Sequence, residues 1–117
     1  MHRRSLIRSA ALAGLLPGAA RAQPFPSKQF RLLVGAAAGG GADIVARILA
    51  QELTRSGGLS VIVDNKPGAG GTVATREALR APADGYTLLV ANVGVLAVVP
   101  YATKDAGYDP RADIAPV

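Results

Sequence analysis

Hydrophobic positions along the chain alternate between two patterns. Short, almost wholly apolar runs stand at residues 30–34 (Phe30, Leu32, Leu33, Val34), 61–63 and 86–91. Runs of this length, rich in branched residues, predict strands buried on both faces of a parallel sheet. Between them the apolar residues recur at helical spacing. Over residues 42–55, Ile44, Val45, Ile48, Leu49 and Leu53 predict one stripe turned to the core, with Asp43, Arg47, Gln51 and Arg55 on the opposite face. Asp43 and Arg47 are four apart with the acid first, which predicts an exposed ion pair, and Gly57-Gly58 predict the helix end. A second helix is predicted over residues 72–81, with Thr72 as N-cap and Val73, Ala74 and Ala78 as a modest inner face. Residues 96–99 predict a short helix limited by Pro100, residues 101–111 a loop, and residues 114–117 the approach to another strand.

The first two strands each run into glycines: Gly39-Gly40-Gly41 after the first, and Lys66-Pro67-Gly68-Ala69-Gly70-Gly71 after the second. Strand, glycine loop, helix, strand, glycine loop, helix, strand is a parallel-sheet β-α-β-α-β unit of the α/β class. Right-handed crossovers place both loops at the C-terminal edge of the sheet, where open α/β sheets bind ligands. Glycines there let the chain turn sharply and leave N–H groups uncovered, so the positive end of a helix dipole can face an anion. The same glycines also suit close helix–strand packing without a ligand. On this pattern Gly39, Gly40, Gly41, Ala42 and Asp43 form a candidate anion site, with Gly70, Gly71 and Thr72 as a second loop. An Asp in the first turn of a helix is stabilised by the dipole whether or not a ligand is present. Beside a bound carboxylate it repels the solute unless it holds water or an amine. Asn92 either donates its amide to a solute or caps a turn. Lys66 either steers anions or is ordinary surface, and Asp84-Gly85 is turn chemistry.

Composition narrows the classes. Residues 1–22 have a basic start (Arg3, Arg4, Arg8), a short apolar middle and Ala20-Arg21-Ala22 before Gln23, which reads as an export signal. Arg3-Arg4 leaves secretory and twin-arginine export both open. Four of the 13 basic residues lie in this segment, leaving nine against eight acidic ones, a net of +1. With no basic block and no aromatic–basic interleaving after residue 22, nucleic acid is not an expected partner. There is no cysteine, and the one histidine is His2. The remainder therefore lacks the commonest general base, the thiol nucleophile and the usual transition-metal ligands; neither catalytic residues nor a metal or cofactor are expected. Pro24 and Pro26 make residues 23–29 an extended N-terminal arm. A nucleotide- or phosphate-binding enzyme domain is the rival reading. It lacks Walker spacing, and Gly39-Gly40-Gly41 does not fit G-x-G-x-x-G.

Five blocks in order resemble the tripartite tricarboxylate transporter receptors, also called Bug receptors. They are Phe25-Pro26-Ser27-Lys28, Ala37-Ala38-Gly39-Gly40-Gly41-Ala42-Asp43 with Val45-Ala46-Arg47, Asp64-Asn65-Lys66-Pro67-Gly68-Ala69-Gly70-Gly71, Ala83-Asp84-Gly85-Tyr86-Thr87-Leu88-Leu89, and Tyr108-Asp109-Pro110 with Asp113 and Ala115-Pro116-Val117. The resemblance implies a monomeric, non-enzymatic periplasmic receptor with two α/β lobes of the type II binding-protein fold, closing on a small carboxylate and delivering it to membrane permease subunits. It implies that residues 40–43 and the loop Asn92, Val93, Gly94, Val95 form the first-lobe half of the cleft. Residues 30–117 then correspond to part of the first lobe, with the second lobe absent. A fragment without function of its own is the third reading.

Overall fold

The computed structural model describes residues 23–117; the export signal read over residues 1–22 lies outside the described residues. Strand β1 (Phe30–Val34) is the centre of a parallel three-stranded sheet, flanked by β2 (Val61–Asn65) and β3 (Thr87–Val90) in the order β2-β1-β3. Val34 lies opposite both Asn65 and Val90, so the strands end level at their C-terminal edge. Helix α1 (Gly41–Gly57) joins β1 to β2 and helix α2 (Thr72–Arg80) joins β2 to β3. Side chains alternate faces along a strand. Asn65, level with Val34, bonds Asp43 of α1, whereas Arg31, one face over, bonds Glu77 of α2. The two helices therefore cover opposite faces of the sheet, and the expected β-α-β-α-β unit is present. Leu32, Leu33 and Val34 are 1%, 0% and 0% exposed, which makes β1 the centre of the core.

Helix α1 departs from the expected orientation. Its sheet-facing row is Asp43, Ala46 and Ala50, while Ile44, Val45, Ile48 and Leu49 are exposed and Leu53 is half-buried. The physical reason lies in Asp43, which must point inward to reach the glycine loop and β2. One row of an α-helix carries positions 43, 46 and 50 together, and alanine at the latter two lets the helix lie close to the sheet. The apolar stripe is thereby turned away. The Asp43–Arg47 pair forms at 2.9 Å, but the acid is buried rather than exposed.

Smaller differences follow from local pairing. Strand β2 extends through Asp64 and Asn65 because their backbones stay in register with Leu33 and Val34. The N-cap of α2 is Gly71, and Thr72 is the first helical residue, buried. After β3 the chain makes a π-helical turn (Gly94–Val98) and passes into helix α3 (Val99–Ala102). Pro100 sits in the first turn of α3, where its missing N–H has no helical partner to lose, so it opens a helix instead of limiting one. Helix α4 (Pro110–Asp113) interrupts the expected loop. It is capped reciprocally: the Asp109 carboxylate accepts from the Arg111 N–H at 2.9 Å, and the Asp113 carboxylate from the Asp109 N–H at 2.8 Å. Residues 114–117 form no strand.

At the opposite, N-terminal edge the arm is docked. The rings of Phe25, Phe30 and Tyr86 have centroids 4.9–5.8 Å apart. The Ser27 N–H donates to the Tyr86 hydroxyl at 2.7 Å, and Lys28 reaches Asp84 at 2.6 Å. Across the α2 face, Arg31 bridges Asp64 and Glu77, with Lys66 at 3.8 and 3.6 Å from the same two acids. Lys66 is thus part of a mixed-charge cluster tying β1, β2 and α2 together. Among the described residues no helix is long and apolar enough to cross a membrane.

The orientation of α1 has a direct test. Leu33→Ala empties a fully buried position and is expected to cost about 2–5 kcal/mol, whereas Ile48→Ala on the exposed stripe is expected to stay within about 0.5 kcal/mol. Urea denaturation of the two variants measures both; an inward stripe reverses the expectation for Ile48.

Candidate functional site

Three loops meet at the C-terminal edge, and their closeness is set by backbone. A Cβ on Gly35, at the end of β1, falls 2.7 Å from the Gly71 Cα. A Cβ on Gly71, where φ is +97°, falls 2.7 Å from the Val95 Cγ1. The loop after β1 therefore rests on the loop before α2, and that loop rests on the loop after β3. Val95 is 2% exposed beneath this stack, and its carbonyl accepts from the Tyr108 hydroxyl at 2.7 Å. Of the residues expected at this edge, Val95 faces inward, while Asn92 and Val93 face solvent, Val93 at 72%. The Asn92 carboxamide oxygen accepts from the Val95 N–H at 3.2 Å and lies 2.9 Å from where a Cβ on Gly94 would sit. Asn92 thus caps its turn through the oxygen, which leaves the NH2 end of the same side chain directed elsewhere.

The loop after β1 is clamped by Asp43. One carboxylate oxygen accepts from the Gly39 N–H at 2.8 Å and from Arg47 Nε at 2.9 Å. The other accepts from Asn65 Nδ2 at 2.9 Å, which also donates to the Ala36 carbonyl at 3.1 Å. Arg47 Nη2 closes the ring on Asn65 Oδ1 at 3.2 Å. Arg47 chiefly, then the Gly39 N–H and Asn65, hold the Asp43 carboxyl at a pKa of about 2, below its ordinary 3.8. Asp43 is therefore ionised and internally neutralised. Its position shapes the loop, and its charge is balanced before any solute arrives.

What remains to meet a ligand is backbone. Gly40 donates to the Ala37 carbonyl at 3.1 Å, and α1 has no side-chain N-cap. Among the described residues, the N–H groups of Gly41, Ala42 and Asp43 have no acceptor, as the first turn of a helix dictates. The second loop differs: the Gly71 N–H donates to Gly68 and the Thr72 N–H to Ala69, so Gly70, Gly71 and Thr72 act mainly as the floor under the first loop. Surface cavities of about 310 Å³, between the arm and residues 58–60, and about 360 Å³, beside Arg76, Arg80 and Asp105, lie away from these three loops. The edge offers donors for an anion and no nucleophile–base pair. The positioning roles of Gly35, Asn65 and Arg47 escaped the sequence reading. A lone glycine at the end of an apolar strand was the available signal for the first.

Two outcomes follow. Gly35→Ala, a methyl group forced against backbone, is expected to destabilise by about 1–3 kcal/mol in thermal or chemical unfolding. For Asp43 the folded pKa lies below the unfolded one, so its stabilisation is present above about pH 4 and is lost as pH falls toward 2. Asp43→Asn is accordingly expected to melt lower than the parent chain at pH 7, with the gap shrinking on acidification; equal melting temperatures at pH 7 refute the clamp.

Residues 45–117 match the family described as the tripartite tricarboxylate transporter family receptor. The chain is similar to the periplasmic binding protein BugD (41% identity, TM-score 0.69, covering 74% of this chain and 28% of that one). It is also similar to the Rhodopseudomonas palustris protein Rpa4515 with adipate (35%, TM-score 0.76, 80% and 31%), and to MatC of the same organism with bound malate (31%, TM-score 0.67, 80% and 32%). The chain spans about a third of the length of the curated relatives it matches, among them a Bordetella bronchiseptica protein 43% identical over 97% of this chain. With the glycine loops, the parallel unit and these matches in agreement, the chain belongs to the tripartite tricarboxylate transporter receptor family, whose members are solute-binding receptors and not enzymes.

Proposed function

We propose that this chain supplies the first-lobe half of an extracytoplasmic receptor that captures a small organic carboxylate and delivers it to membrane permease subunits. The carrying observation is the free N–H row of Gly41, Ala42 and Asp43, held at the sheet edge by the Asp43–Arg47–Asn65 clamp. Rigid donors at the positive end of a 17-residue helix suit a carboxylate oxygen. The adipate and malate held by two similar proteins support the same ligand class. Because Arg47 neutralises Asp43, the acid closest to the donors does not repel the solute.

Capture takes no covalent step. A carboxylate exchanges water for backbone donors on this lobe, and closure of a second lobe over it supplies the remaining contacts and excludes solvent. The export signal read over residues 1–22 and the similarity to periplasmic binding proteins support a periplasmic location. A few charge-assisted hydrogen bonds of roughly 1.5–3 kcal/mol each, less the cost of association, leave the 117-residue chain with weak affinity, about millimolar.

Titration calorimetry against a panel of mono-, di- and tricarboxylates and ATP tests the proposal. Weak binding confined to the acids is the expected result. Tight ATP binding with indifference to every acid contradicts it.

A further inference from the structure

The basic side chains fall into two groups. Lys28, Arg31, Arg47, Arg55 and Lys66 each pair with an acid of this chain. Among the described residues, Arg76 and Arg80 pair with none, yet both line one surface cavity of about 360 Å³, together with Leu79, Asp105 and Gly107. Glu77, the acid next to Arg76, is taken by Arg31 and Lys66. Asp105 shares the cavity but makes no ion pair with either arginine.

Arg76 is fixed without being neutralised. Its Nε and Nη2 groups donate to the Ala106 carbonyl at 3.1 and 2.8 Å. A Cβ on Gly107, where φ is +76°, would fall 3.0–3.2 Å from Nη2, Nε and Cζ, so the guanidinium lies against bare backbone. One edge of the fork is thus spent on a neutral oxygen, and the Nη1 hydrogens with the second Nη2 hydrogen remain for a carboxylate. Holding the side chain in one orientation removes much of the entropy cost that weakens ordinary surface ion pairs. Arg80 follows one turn later on the same face of α2, and Leu79, 36% exposed, adds apolar surface. Two arginines against Asp105 leave the lining at +1, the charge one carboxylate cancels. Both arginines are exposed, so a free acid there stays hydrated and screened, whereas a protein surface brings apolar cover and expels the water. We propose that this face of α2 docks an acidic protein partner, with one carboxylate side chain of the partner seated on Arg76 and Arg80 and an apolar neighbour over Leu79.

The test titrates the full ¹⁵N-labelled chain with a blocked leucine-glutamate-leucine tripeptide, its glutamine counterpart and free glutarate, following the Arg76 Nε–H and Gly107 amide resonances. The glutamate peptide is expected to shift both, and to bind about tenfold tighter than either the glutamine peptide or glutarate. Arg80→Ala, at an exposed position with no hydrogen bond to another side chain, is expected to weaken the glutamate peptide about tenfold. Asp105→Asn removes the like charge and is expected to strengthen it about threefold, an outcome that misfolding cannot imitate. Equal binding of the two peptides overturns the proposal, as does an affinity that Arg80→Ala leaves unmoved or that Asp105→Asn lowers. Glutarate binding as tightly as the glutamate peptide makes the cavity a small-acid site and overturns docking. Co-sedimentation with phosphatidylglycerol vesicles, lost in Arg80→Ala while neither peptide shifts the two resonances, assigns the face to a membrane and overturns it as well.

Discussion

Gly35 and Gly71 approach so closely that a methyl group on the first would overlap the main chain of the second. Everything that meets at the C-terminal edge depends on that contact. It lets the loop leaving β1 settle on the loop entering α2, which in turn sits on Val95. A side chain at Gly35 would wedge the first two loops apart, and one at Gly71 would push the second loop off Val95. The contact needs glycine for two separate reasons: space at Gly35, and at Gly71 both space and a φ of +97° that other residues rarely adopt.

The second constraint is electrostatic. A buried carboxylate is costly unless its lone pairs are filled, and Asp43 fills them with the Gly39 N–H, Arg47 and Asn65. One side chain thereby ties the glycine loop to the end of β2 and fixes the rotation of α1. The exposed face of that helix is a consequence of the same choice. The row that carries Asp43 inward carries Ala46 and Ala50 with it, and Ile44, Val45, Ile48 and Leu49 go outward.

Strand and helix order was legible because the apolar runs are short and separated by glycine and proline, and the parallel topology followed from crossover handedness. Helix rotation was not legible. Periodicity identifies the most hydrophobic face of α1, but packing selected its narrowest one, and nothing in the spacing of Ile48 reveals that Asp43 is needed inside. Pro100 misled for a related reason: proline excludes a helix interior and favours a helix start. At the edge, the glycines marked the loops that meet there. The roles of Asp43, Asn92 and Val95 within them depended on hydrogen bonds to residues distant in sequence or buried beneath the loops, which a linear reading cannot pair.

The chain spans about a third of the length of the curated relatives it matches, and the central claim concerns one edge of one sheet. Co-crystallisation of the chain with adipate tests it most directly. A carboxylate within hydrogen-bonding distance of the Gly41 and Ala42 N–H groups is the expected result. Adipate seated instead between the arm and residues 58–60, or beside Arg76 and Arg80, with the glycine edge in contact with solvent alone, would contradict it.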